Sequence, residues 1–151
     1  MIKLGIIGCG YWGKNLIRNI VESDKTQLVV ACDLSPKALA RIKAKYPSVI
    51  TTTSSEDVFK HKDLDGIIIA TDPTSHYALA KQAILHGKDV FVEKPLTIST
   101  KTTEDLIRLA DKHQRILMVG HTFEFAPAII KGEEIIKNQL GKIIYASFLS
   151  T

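Results

Sequence analysis

Two textures alternate along the chain. Short apolar runs without regular polar alternation stand at "KLGIIG" (3–8), "QLVVACD" (27–33), "SVITT" (48–52), "DGIIIAT" (65–71), "DVFVEK" (89–94) and "ILMVG" (116–120). Strands buried on both faces read this way. Longer amphipathic segments separate them and predict helices over 11–22, 36–46, 55–60, 74–87, 100–113 and 127–139. Ser35 before Pro36 is a helix start, and Gly87 after Ala83 and Ile84 a helix end. In the segment 100–113, Leu106, Ile107, Leu109 and Ala110 are expected on one broad face. Ser99 or Thr100 is its expected cap, with Glu104 and Asp105 early.

Strand and helix alternating six times predict a parallel sheet with helices on both faces. With right-handed crossovers, the expected architecture is the doubly wound α/β (Rossmann) dinucleotide-binding fold. The expected division is a core over 1–120, then a connecting helix and one more strand over 121–151. That strand, "GKIIYASFLST" (141–151), has no helix after it to cover it and reads as an opening into something missing. Left open, it would expose Ile143, Ile144, Phe148 and Leu149, so self-association or a homo-oligomer through this segment is expected.

The composition, 45% hydrophobic and 24% charged over 151 residues, suits one globular domain with a real core. The net charge of +4 comes from scattered lysines, so nucleic acid is not an expected partner. Cys9 and Cys32 lack metal-ligand spacing and read as buried thiols in a reducing compartment, with no metal site. No signal-like segment opens the chain and no apolar run approaches the roughly 20 residues that span a bilayer. A cytoplasmic protein without a membrane partner is expected.

The candidate chemistry begins at "GIIGCGYWGKN" (5–15), where Gly8, Gly10 and Gly13 have the spacing G-x-G-x-x-G. Alone this is weak, but it follows a buried strand and opens a helix carrying Leu16, Ile17, Ile20 and Val21. Gly8 suits a tight turn, Gly10 a close approach to a pyrophosphate and Gly13 close packing of helix on strand. The helix N-terminus offers free N–H groups to the anion. Tyr11 and Trp12 would point their amides at the pyrophosphate; their side chains flank cofactor or substrate, or pack on the sheet. Asp33 ends the second strand 20 residues after Gly13, the place of a ribose-binding acid. Leu34, Ser35 and Pro36 follow it, with no Arg for a 2′-phosphate, so NAD is expected over NADP.

"VFVEKPL" (90–96) is the second informative stretch. Glu93 and Lys94 fall at the carboxyl end of a strand, where ligands of open α/β sheets bind. A partly buried Lys94 near other cations would exchange a proton with a substrate hydroxyl, whereas on these residues alone Glu93 and Lys94 read as a surface ion pair before Pro95. Glu93 would hold the nicotinamide ribose or orient Lys94.

Together, "GIIGCGYWGKN", "ACD", "IIIATDPTSHYALA", "VFVEKPL" and "MVGHTFEFAPAI" resemble the Gfo/Idh/MocA family of oxidoreductases across essentially the whole chain. The wording "GYWG" and "GHTFEFAPA" is most similar to members acting on nucleotide-linked amino sugars, such as UDP-N-acetylglucosamine-type 3-dehydrogenases. The resemblance implies an NAD-dependent dehydrogenase acting on a secondary hydroxyl of a sugar, cyclitol or sugar nucleotide. It implies that Gly8, Gly10, Tyr11, Trp12 and Gly13 form the pyrophosphate turn and that Asp33 takes the ribose. Thr71 and His76 would line the cofactor cleft, Glu93 and Lys94 match the family's Glu-Lys-Pro with its catalytic Lys, and His121 would lie near nicotinamide or substrate; read from the residues alone, His76 and His121 are cap or packing residues. Two departures stand out: Asp72 separates Thr71 from Pro73 where relatives commonly read Ala-Thr-Pro, and Lys14 stands where they often have proline. Family members usually run to more than twice this length, so the isolated chain is expected to bind NAD without turnover.

Overall fold

The computed structural model describes residues 1–140, 142–145 and 147. Their contacts divide the chain into two units, Met1–Gly120 and His121–Thr151. In the first unit, β1 (Ile2–Ile7), β2 (Thr26–Cys32), β3 (Ile50–Thr52), β4 (Gly66–Ile69), β5 (Asp89–Val92) and β6 (Leu117–Val119) form one parallel sheet. Its order is β3-β2-β1-β4-β5-β6, the doubly wound order. Helices α1 (Gly13–Glu22), α2 (Pro36–Lys45), α3 (Ser55–Phe59), α4 (Pro73–Leu85) and α5 (Thr100–His113) connect the strands.

The strand period of two sends neighbouring side chains to opposite faces. Ile7, Val30, Cys32, Ile67 and Ile69 enter one core with Phe59, Ala80, Ala83, Ile84, Leu106 and Ala110. Ile6, Leu28, Ala31 and Ile68 enter the other with Ile17, Ile20, Leu39 and Ile42. Each face thus needs its own helical cover, and the apolar runs lack polar alternation for that reason. All four residues of β4 are buried.

Helix ends follow local chemistry. Ser35 Oγ accepts the Ala38 N–H at the start of α2, with Pro36 behind it. Gly87, at φ +72°, closes α4 with its N–H on the Ile84 carbonyl. Several expected boundaries shift. α1 begins at Gly13 rather than 11, because residues 8–12 are spent on the turn. β4 stops at Ile69 rather than 71, and β5 at Val92, just before Glu93-Lys94-Pro95 and its cis Lys94–Pro95 bond. In α5, Leu106 and Ala110 are buried one turn apart, whereas Ile107 is 47% exposed: at 100° from Leu106 it leaves the apolar stripe. Ser99 caps α5 with its backbone carbonyl, which accepts the Thr103 N–H, and its side chain takes no part. No acid falls in the first turn of α5.

The second unit carries a short 3-10 helix, Thr122–Phe125, and α6 (Pro127–Gln139). Phe123, Phe125, Ile129 and Ile130 are exposed there. Of the strand expected over 141–151, residues 142–145 and 147 are described and lie in no strand; Phe148 and Leu149 fall outside the described residues. Among the described residues, no helix is long and apolar enough to cross a membrane.

Candidate functional site

The sheet order reverses between β1 and β4, and the chain leaves both strands there at their carboxyl ends. The turn after β1 is held by backbone bonds from Gly8 N–H to the Cys32 carbonyl and from Ala70 N–H to the Ile7 carbonyl, each 2.8 Å. The three glycines have different causes. Gly8 sits at φ +98°, and a Cβ there would lie 2.5 Å from the Ala70 carbonyl oxygen. A Cβ at Gly13 would lie 2.1 Å from the Gly8 carbonyl oxygen. A Cβ at Gly10 would meet nothing within 4 Å. The protein's own packing therefore explains Gly8 and Gly13 but leaves Gly10 facing open space.

Gly10 lines a cleft of about 540 Å³ with Gly8, Asp33, Thr71, Asp72 and Leu79, among others, and also a smaller one of about 220 Å³ with Lys14 and Arg41. Among the described residues, the amides of Gly10, Tyr11 and Trp12 have no protein acceptor, which leaves donors free at the N-terminus of α1. Asp33, at the end of β2, braces the turn: its Oδ2 accepts the Cys9 N–H at 2.7 Å and its Oδ1 the Ser35 N–H at 2.8 Å. Asp72 caps α4, accepting the Thr74 N–H at 3.0 Å and the Thr74 hydroxyl at 2.6 Å. The hydroxyl bond, then the N–H bond, holds the Asp72 carboxyl below the ordinary range. Two carboxylates and no cation thus line this cleft.

Asp72, which departs from the family wording Ala-Thr-Pro, is the cap of α4, and Asp-Pro at a helix start is a legible cap signature. Thr53 and Ser55 line the cleft from the loop after β3 and carry no motif.

His76 differs from its expected place. It is completely buried and does not line the cleft. Its Nδ1 lies 2.9 Å from the Pro95 carbonyl oxygen and its Nε2 3.1 Å from that of Thr71. The ring therefore joins the end of β4 to the loop after β5. Thr71 faces the cleft, its hydroxyl bonded to that of Ser75 at 2.7 Å.

Glu93 is buried, with its backbone N–H on the Ile69 carbonyl at 2.9 Å. Its Oε1 accepts the indole N–H of Trp12, and its Oε2 the Lys94 N–H at 3.3 Å. Lys94 is exposed, against the expectation of partial burial, because it stands beyond the sheet where the chain turns away. No ion pair engages Lys94 among the described residues. Tyr11 is exposed. His121 is exposed and opens the second unit ahead of its 3-10 helix.

Cys9 and Cys32 are buried free thiols beside this turn. Burial first, then the charge of Asp33, pushes Cys9 up to about 12 and Cys32 up to about 11. In the folded chain at about pH 8 neither thiol is expected to react with an alkylating reagent, and both should react after denaturation. Rapid native-state labelling of either would contradict this.

The family model described as "Oxidoreductase family, NAD-binding Rossmann fold" matches residues 2–121. The chain belongs to the Gfo/Idh/MocA family of oxidoreductases. As a family member it is 30% identical over 138 residues to 1-carboxy-3-chloro-3,4-dihydroxycyclohexa-1,5-diene dehydrogenase of Comamonas testosteroni, covering 89% of this chain and 34% of that protein. Myo-inositol 2-dehydrogenase from Lactobacillus plantarum superposes with a TM-score of 0.88 at 26% identity, over 95% of this chain and 43% of that one. Biliverdin reductase from Synechocystis sp. PCC 6803, solved with biliverdin and NADP+, gives a TM-score of 0.81 at 27% identity, over 94% and 43%. This Gfo/Idh/MocA chain spans only about two fifths or less of the curated relatives it matches, with 39%, 34% and 38% for three of them.

Proposed function

We propose that the chain holds NAD in the cleft beyond β1, β2 and β4, and that the whole protein oxidises a secondary hydroxyl of a sugar, cyclitol or sugar nucleotide. The observation that carries the cofactor reading is Gly10: its missing side chain has no cause in the fold, and it lines a cleft with free amide donors beside it. The pyrophosphate would lie on the amides of Gly10, Tyr11 and Trp12, and Asp33 would accept the adenosine ribose hydroxyls. A family relative holds NADP+, so family membership alone leaves the choice of dinucleotide to local charge. Here Asp33 and Asp72 line the cleft and no cation does, while Lys14 and Arg41 line a separate cleft that shares Gly10; the charge beside Asp33 favours NAD.

When bound, the nicotinamide would accept hydride from the carbinol carbon. Lys94, as the free amine, would take the hydroxyl proton, and Glu93 would accept a hydrogen bond from the nicotinamide ribose. The isolated chain, whose Lys94 is exposed, is assigned binding without turnover.

Titration calorimetry tests the reading. NAD should bind at least about tenfold more tightly than NADP, since bringing a phosphate against unpaired carboxylates costs more than 1.4 kcal/mol. Asp33→Ala should narrow that ratio. Equal affinities, or tighter NADP, would defeat the NAD assignment. Steady formation of reduced nicotinamide by this chain with a polyol would defeat the assignment of binding alone.

A further inference from the structure

The cofactor reading assigns Trp12 to the glycine turn through its backbone amide and leaves its side chain unexplained. That side chain takes an unusual course. Trp12 precedes α1, and its indole N–H donates to Oε1 of Glu93 at the end of β5. In the sheet, β4 lies between β1 and β5, so the bond crosses two strand spacings, about 10 Å. It is the direct side-chain link between the turn and the Glu93-Lys94 pair.

Glu93 needs such a link. It is 7% exposed, and a carboxylate so enclosed is costly unless donors satisfy it. Gly120 packs against it: a Cβ there would come within 3.1 Å of both carboxylate oxygens. One donor is the adjoining Lys94 N–H, at a long 3.3 Å. The other is the indole. An indole is a neutral donor, so it satisfies burial without neutralising the charge, as an Arg or Lys would. It also occupies Oε1, which leaves Oε2, with its single long protein bond, as the oxygen with spare acceptor capacity.

We infer that Trp12 is a positioning residue for Glu93: its indole N–H fixes the carboxylate so that Oε2 is presented to a hydroxyl of the bound dinucleotide. This rests on the NAD reading of the cleft. It also gives Trp12 a role distinct from stacking on cofactor or substrate, because the ring's polar edge is committed to Glu93.

Trp12 is the only tryptophan of the chain, so its emission reports the surroundings of this indole. In the ligand-free 151-residue chain, Glu93→Ala should shift that emission to the red, since the indole N–H passes to water. Glu93→Gln, whose amide oxygen still accepts, should shift it far less. Trp12→Phe keeps a ring and deletes the donor; the half-exposed site should tolerate it, which a thermal melt checks. It should weaken NAD binding about tenfold, the loss of one hydrogen bond to a charged group. In a Glu93→Ala background the same change should cost under about twofold, a coupling that ring packing alone would not produce.

The proposal fails if emission ignores Glu93→Ala, or if the effects of Trp12→Phe and Glu93→Ala on NAD affinity simply add. If the unaltered chain binds no NAD, the cofactor reading falls and this role with it. That outcome is recognisable, because the emission comparison needs no ligand.

Discussion

Gly13→Ala is expected to lower the stability of the chain by about 3 kcal/mol or more, while Gly10→Ala leaves it within about 0.5 kcal/mol and weakens NAD binding instead. Alanine is normally the better helix residue by nearly 1 kcal/mol, so the sign at Gly13, the first residue of α1, must come from packing. A Cβ there would sit 2.1 Å from the Gly8 carbonyl oxygen, a backbone atom that cannot rotate away. Gly8 in turn has φ +98° and abuts the Ala70 carbonyl, so the strain cannot pass down the turn either. At roughly 2–4 °C per kcal/mol for a chain of this size, the melting temperature should fall by about 6–12 °C. Gly10 has open space instead of a neighbour. Its alanine should fold normally and cost NAD affinity roughly ten- to hundredfold, by overpacking the approach of the pyrophosphate. Melting curves and calorimetry on both variants separate the two roles. Equal melting temperatures would mean that the turn relaxes around Gly13, and unchanged NAD affinity in Gly10→Ala would remove the main support for the cofactor site.

That contrast marks how far the sequence can be read. The spacing of Gly8, Gly10 and Gly13, the strand before and the helix after are local, and the sheet order follows from six alternations and right-handed crossovers. Asp33 was legible because its distance from Gly13 is set by one helix and one strand of ordinary length. The separate roles of the three glycines were legible from the motif, whereas the atom that Gly8 must avoid, the Ala70 carbonyl oxygen, lies far along the chain and was not. The bond from Trp12 to Glu93 joins residues 81 positions apart and leaves no periodicity behind. Asp72, an insertion by comparison with the family wording, turns out to rebuild the start of α4 as its cap. Burial of Lys94 was expected from its place at a strand end, but a strand end fixes position and not cover.

His76→Ala is expected to cost about 3–5 kcal/mol, a large part of the stability of a domain this size. The ring is fully enclosed, so truncation leaves a cavity. Both ring nitrogens lie against carbonyl oxygens, those of Pro95 and Thr71. Truncation therefore withdraws donation as well as volume, and from two loops, of which the one with Thr71 lines the cleft. His76→Phe separates the effects. It restores ring volume without a donor, and should retain a cost of about 1–3 kcal/mol for the carbonyl left without its bond. The position of Lys94 depends on the same contact, because the Pro95 carbonyl is one residue along. NAD affinity in His76→Phe should accordingly fall further than in a surface variant of equal stability, such as one in α5. A phenylalanine variant as stable as the unaltered chain, binding NAD as tightly, would reduce His76 to a filler of space.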